Sequence, residues 1–292
     1  MLNKRLVACL LVLMQVSACE PENHAELHGS LYFGVGQYLA ELELHNGNVN
    51  IETNLGDVEI LGISPQKDKR LLVSVVGSVA ERDRHSLVLY DLDTRQALTI
   101  AYGRNGHYLP GTAVLLYDDG SSLILAERND TGWQKTEVAK HRFNAVVSVM
   151  PLSATRFLYA FDDATIHVYD TVSRSYTALT ALSKACELDT SLWDAENDRL
   201  LCRRRLDEDV YQYAMVGLDG VVAATLALPA SRMLQPMAFL PDQDALVLTE
   251  RWRGKLSSRQ NHAIWIYRFD SGDFYRLLDN QYLGRAVVYS QH

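Results

Sequence analysis

The sharpest chemical feature of the chain is a tryptophan between two arginines. Trp252 stands between Arg251 and Arg253, where an apolar run ends in Glu250. Tryptophan and arginine combine large contact area with directed hydrogen bonds, and both are enriched at protein–protein hot spots. A second group, Arg203-Arg204-Arg205, precedes Asp207-Glu208-Asp209. On a strand Arg203 and Arg205 share one face and Arg204 takes the other. Paired guanidinium groups bind a carboxylate or phosphate. The competing readings are structural: Trp252 packed over a neighbouring element, and the arginines paired with Asp207 or Glu187.

Catalytic signatures are missing. There is no Gly-x-Ser-x-Gly, no His-Glu-x-x-His, no Cys-x-x-Cys and no phosphate-cradling glycine loop. No catalytic residue, metal site or cofactor is therefore expected. His24 and His28 have metal-binding spacing on a helix, but two histidines flanked by Pro21 and Gly29 make a poor site. His85, His107 and His167 are scattered and form no local motif.

The elements that must position these residues follow from composition and pattern. The 292 residues are 48% hydrophobic and 22% charged, which is ordinary globular composition. The formal net charge of −8 argues against nucleic acid as a partner, which needs a basic footprint.

The N-terminus reads as a processing segment. Lys4 and Arg5 precede an apolar stretch, Leu6 to Val16, too short to span a bilayer. Val16-Ser17-Ala18-Cys19 follows and resembles the lipobox of bacterial lipoproteins. The resemblance implies that the signal is cut before Cys19 and that Cys19 carries acyl chains such as palmitate. Each buried methylene contributes roughly 0.8 kcal/mol to membrane anchoring. Glu20, rather than aspartate, implies the outer membrane. The expected organisation is a signal peptide at 1–18, a polar tether at 19–29 and one domain at 30–292. Loss of Lys4 and Arg5 leaves a more acidic mature chain. Of the four cysteines, Cys186 and Cys202 remain in the domain.

From Ser30 the pattern is β throughout. Asn46-Gly47 marks a hairpin between short alternating strands. Five segments then repeat one theme of strand, tight turn and apolar strand, with turns at Pro65, Asp118, Pro151, Asp194 and Pro241. Further strands follow each turn; in the second copy Trp133 to Val138 stands where the third strand is due. A four-stranded unit of roughly 40–45 residues is a propeller blade. The pattern resembles the WD40-like bacterial β-propellers. Three N-terminal strands (30–54) and one C-terminal strand (285–290) make a sixth blade, closed by both chain ends. The expected fold is all-β: a six-bladed propeller of four-stranded blades.

In such a propeller the first-to-second and third-to-fourth turns share one rim, here called the turn rim. The second-to-third loops and the blade-to-blade connections share the other, the loop rim. Charge gathers at the ends of the expected second strands: Glu81–Arg84, Glu127–Asp130, Asp162-Asp163, Arg203–Asp209 and Glu250–Arg253. The expected function is a lipid-anchored envelope module that binds another envelope protein or peptide through the loop rim, with Trp252, Arg251, Arg253, Arg203 and Arg205 as anchors. Two alternatives stand beside it: a metal-dependent propeller hydrolase or lactonase, and a small-ligand or polysaccharide binder at the central channel. Converging carboxylates in the channel favour the first alternative, an aromatic pocket at its mouth the second. If both cysteines lay on one hairpin, Cys202 would face position 190, four residues from Cys186. That offset, roughly 13 Å, predicts two free thiols.

Overall fold

The computed structural model describes residues 27–66, 69–77, 84–130, 132–142, 147–161, 165–207, 210–230, 232–253, 260–280 and 287–290. Its strands form six antiparallel sheets of four, arranged in a ring as a six-bladed β-propeller. Blade 1 begins with Val58–Gln66, blade 2 with Arg104–Tyr108, blade 3 with Ser148–Pro151, blade 4 with Leu192–Asp194 and blade 5 with Leu234–Leu240. These innermost strands line the central channel.

Blade 6 is closed as expected. Val287–Ser290 pairs antiparallel with Ser30–Val35, with Ser30 opposite Ser290 and Phe33 opposite Val287. Tyr38–Glu43 and Val49–Asn54 complete that sheet. Joining both chain ends in one sheet leaves no open end of the ring to template another chain.

Burial explains the sequence pattern. Second strands are packed on both faces by neighbouring blades, so they read as continuous apolar runs rather than as alternation. Leu71 to Val73, Leu115 to Tyr117, Phe157 to Tyr159 and Ala245 to Leu248 are all buried. Fourth strands form the outer wall, and Gln96–Tyr102 and Ser175–Ala178 are mostly exposed.

Blade 2 corrects the expected phase. Val114–Asp118 and Ser122–Asn129 are its second and third strands, and Gly132–Lys140 is its fourth. The turn after Asp118 therefore lies on the loop rim. The true first-to-second turn carries Pro110-Gly111, with Gly111 at φ 71°. Its first strand, Arg-Asn-Gly-His-Tyr, is polar because it faces the channel, and polarity hid it. The group Glu127–Asp130 consequently moves to the turn rim.

The free-thiol expectation is also overturned. Cys186 and Cys202 form a disulfide with Cα atoms 5.4 Å apart, within the geometric reach of the bond. Cys186 is not on a strand at all. It caps helix α1 (Thr180–Ala185), which sits in the seam between blades 3 and 4 and turns the chain back toward Arg199–Asp207. Leu182 and Cys186 pack with Leu158, Ile166, Leu200 and Ala214 across that seam. Gly220 makes room for the helix, since a Cβ there would stand 2.7 Å from the Ala181 backbone.

The packed domain also reaches further upstream than Ser30. Leu27 is fully buried. His28 is clamped at both backbone groups by one side chain: its N–H donates to Gln243 Oε1 at 2.7 Å, and Gln243 Nε2 donates to its carbonyl at 2.9 Å. Leu44 N–H donates to Gly29 O at 3.0 Å. The chain thus enters the ring on the turn rim, against the first turn of blade 5.

Candidate functional site

The expected anchors fall in two groups. Arg251, Trp252 and Arg253 end the second strand of blade 5, Ala245–Arg253, paired opposite His262, Asn261 and Gln260. Strand geometry puts Arg251 and Arg253 on one face and Trp252 on the other; their side chains lie outside the described residues. Arg203 behaves differently. It is buried, its guanidinium stands 5.3 Å from the Tyr211 ring centre, and it reaches Glu187 at 3.9 Å. Packing of this kind stabilises the blade and withdraws Arg203 from the exposed rim. Arg204 donates to Gln212 at 3.3 Å. Arg205 lies opposite Tyr211, and its side chain is outside the described residues. Beyond it Leu206 is exposed. The groups around 81–83, 162–163 and 208–209, and Cys19, also lie outside the described residues.

Beneath Arg251–Arg253 is a cluster that residue spacing does not reveal. Glu250 is buried and accepts hydrogen bonds from Arg232 at 2.8 and 2.9 Å and from Trp265 Nε1 at 3.0 Å. The Arg232 guanidinium also lies 4.7 Å from the Trp265 ring centre, and Trp265 stacks on Phe274 at 4.6 Å. The Tyr213 hydroxyl accepts from Leu234 N–H at 2.8 Å and lies 2.8 Å from Arg232 O. Together these bonds fix the loop-rim connection between blades 4 and 5 as a rigid floor.

A second buried cluster holds the loop rim of blade 2. Asp118 accepts from Arg104 at 2.7 Å, from Gly120 N–H at 2.6 Å, and faces His141 Nε2 at 3.0 Å. The other ring nitrogen of His141 lies 2.8 Å from Arg142 O. Both ring nitrogens thus have an oxygen neighbour, which fixes the ring against the turn.

The channel encloses about 560 Å³, with Ser64, Asn105, His107, Asp189, Trp193 and Met237 in its wall. Ser64 Oγ lies 2.9 Å from His107 Nδ1 and 3.2 Å from Gly106 O. A hydroxyl has one proton, so donation to Gly106 O leaves Ser64 to accept from His107 Nδ1–H. Burial pushes the His107 imidazole down to about 4, which keeps it neutral near pH 7. Among the described residues, no group of three or more His, Cys, Asp or Glu side chains is placed to hold a metal. Among them, too, no helix is long and apolar enough to cross a membrane.

Between the first turns of blades 4 and 5 lies a half-open cleft of about 620 Å³. Its walls are Trp193, Met215, Met237, Phe239 and Phe269, and the two phenylalanines are stacked with centroids 6.3 Å apart. Trp193 and Met237 border both the cleft and the channel. Sequence reasoning missed it because its walls come from two blades; only the Leu-Trp-Asp and Ala-Phe-Leu runs before the turns hinted at it.

No protein-family model matches the chain, and no curated protein does. Solved structures match it in shape. TolB from Acinetobacter baumannii superposes with a TM-score of 0.65 at 13% identity, over 98% of this chain and 71% of that one. A TolB candidate from Agrobacterium tumefaciens gives 0.60 at 13% identity, over 91% of this chain and 99% of its own. A chain of the mitotic checkpoint complex gives 0.53 at 12% identity, over 91% and 80%. At such identities the likeness establishes the propeller fold and nothing finer.

Proposed function

We propose that this propeller is a lipid-anchored protein-interaction module of the bacterial cell envelope, holding a partner protein or peptide on its loop rim. The observation that carries the reading is the place where the chain enters. Leu27 to Gly29 are seated on the turn rim, and Cys19 is eight residues before Leu27. An extended segment of that length spans about 28 Å at most. An acylated Cys19 then holds the turn rim toward the membrane and directs the loop rim, with Arg251, Trp252 and Arg253, away from it. The outer membrane is the proposed site, on the strength of Glu20.

Two findings support the reading. The Cys186–Cys202 bridge belongs to an oxidising compartment such as the periplasm. The TolB structures and the checkpoint-complex chain share the fold.

Two measurements test it. Cys19→Ser should release the protein from membranes and abolish labelling by a palmitate analogue; unchanged membrane retention and processing overturns the anchor. A photo-crosslinking residue at 253 should give a discrete adduct in intact envelopes, while one at 219, on the turn rim, should not give the same adduct. The reverse pattern overturns the loop-rim assignment.

A further inference from the structure

We propose that the cleft between the first turns of blades 4 and 5 is a second binding site, which takes an extended segment of a partner polypeptide. The segment presents one bulky apolar side chain flanked by lysine or arginine. The site lies on the rim opposite Arg251 and Arg253 and does not depend on the anchored-module reading.

Size and walls come first. About 620 Å³ is within the usual range of ligand sites and holds an aromatic side chain with its neighbouring backbone. The stacked pair Phe239 and Phe269 offers a flat aromatic wall, and Met215 and Met237 are adaptable fillers. Trp193 adds a directed group. Its indole Nε1 is buried and has no hydrogen-bond partner among the described residues. A buried donor left unmade is costly, and Trp193 forms part of the cleft wall, so its indole N–H is a local reporter of a chain laid across the cleft.

Charge then selects the flanking residues. Three carboxylates and one guanidinium border the cleft: Asp194, Glu196, Asp244 and Arg199. Asp194 is engaged in its own turn, accepting from Glu196 N–H, Asn197 N–H and Asn197 Nδ2. Glu196 and Asp244 are exposed and make no ion pair among the described residues. The mouth therefore favours a cation beside the apolar side chain. A half-open cleft running along two turns leaves a small molecule largely exposed, whereas an extended chain can lie across both turns.

The test uses the full mature protein, 15N-labelled, and an acetylated, amidated Gly-Ser-Lys-Phe-Lys-Ser-Gly peptide. The readout is the indole N–H resonance of Trp193, assigned with Trp193→Phe. A saturable shift is expected at peptide concentrations below about 1 mM, with binding at least about tenfold weaker when the lysines become glutamates or the phenylalanine becomes alanine. Glu196→Lys with Asp244→Lys should reverse the charge preference. The backbone tolerates lysine there, because Lys69 already holds φ 55° in the matching turn of blade 1, against 46° at Asp244. Three results overturn the proposal: no Trp193 shift, equal binding of the lysine and glutamate peptides, or a charge-reversed variant that binds both as before. A Trp193 shift with 1-anilinonaphthalene-8-sulfonate but not with the lysine peptide makes the cleft a small-ligand site and overturns it too. So does a Trp193 shift that follows protein concentration alone, which assigns the cleft to a second copy of this chain.

Discussion

The two rims of the propeller both join strands, and they differ in what their acids hold. On the turn rim several of the described connections are capped from within. Asp91 accepts from Thr94 N–H, Asp170 from Val172 and Ser173 N–H, Asp194 from Glu196 and Asn197 N–H, and Asp219 from Val221 N–H. Non-glycine residues take positive φ there, among them Lys69, Arg95, Arg174 and Asp198. The Thr94 backbone bond holds the Asp91 carboxyl below its usual range, and the Ser173 bond does the same for Asp170. On the loop rim Asp119 caps its own turn in the same way, through Ser121 and Ser122 N–H, but the two buried acids also bind groups distant in sequence: Glu250 holds Arg232 and Trp265, and Asp118 holds Arg104 and His141. The lesson is that acids on the turn rim mostly shape turns, and acids on the loop rim's floor fasten connections. Counting either as free binding charge overstates it; Glu196 and Asp244 are among the exceptions on the turn rim.

The comparison can be broken first at a point belonging to neither rim. The Cys186–Cys202 bridge closes a loop across a sequence separation of 16, and loss of a bridge of that span costs about 3 kcal/mol in the chain-entropy account. Replacing both cysteines with serine should lower the urea midpoint of the oxidised protein by a matching amount, and added reductant should then have no further effect. A midpoint unchanged from wild type would mean that the seam between blades 3 and 4 is held by packing alone. Next in size is Glu250→Ala. It leaves Trp265 Nε1 and Arg232 without their acceptor, and an unsatisfied buried donor costs about 1–3 kcal/mol. Asp219→Ala, a single turn acid, should cost less than Glu250→Ala in the same urea titration. Equal costs would erase the distinction between the rims.

Much of this architecture is legible in the sequence, and what is not has definite causes. The repeated turns, the apolar second strands and the shared sixth blade follow from burial on two faces and from the edge that closure removes. The phase of blade 2 is hidden in the sequence because its channel-facing strand, Arg104 to Tyr108, lacks an apolar signature. Pro110-Gly111 carried the right signal, placing its turn 45 residues after Pro65 and 41 before Pro151. The disulfide is not legible because α1 has only six residues, too few for a 3.6-residue period to stand out. Arg251, Trp252 and Arg253 were legible as chemistry, whereas the cleft and the Glu250 cluster exist only where separate blades meet.

Between the rims, His107 gives a smaller effect with a defined sign. Its folded value of about 4 lies below the usual 6.5. As pH falls through that window the unfolded chain takes up a proton that the folded chain refuses, so stability falls. His107 borders the channel, so the loss falls short of the full shift and is about 1 kcal/mol. His107→Gln should flatten stability between pH 6.5 and 4 relative to wild type; an unchanged slope would assign the acid sensitivity to other groups.

The smallest effect on stability should accompany the largest effect on function. Arg251 and Arg253 end their strand at the loop rim, and a charged side chain that is solvated at such an end contributes about 0.5 kcal/mol or less. Arg251→Ala with Arg253→Ala should therefore leave the urea midpoint nearly unchanged. If these residues anchor a partner, crosslinking from a photo-reactive residue at 206, on the same rim, should fall. The difference from wild type should widen at low ionic strength, where the native charge is least screened. Glu196→Lys with Asp244→Lys, on the opposite rim, should leave that crosslink intact. If the turn-rim pair abolishes the loop-rim crosslink and the arginine pair does not, one partner spans the cleft and the working surface is the turn rim.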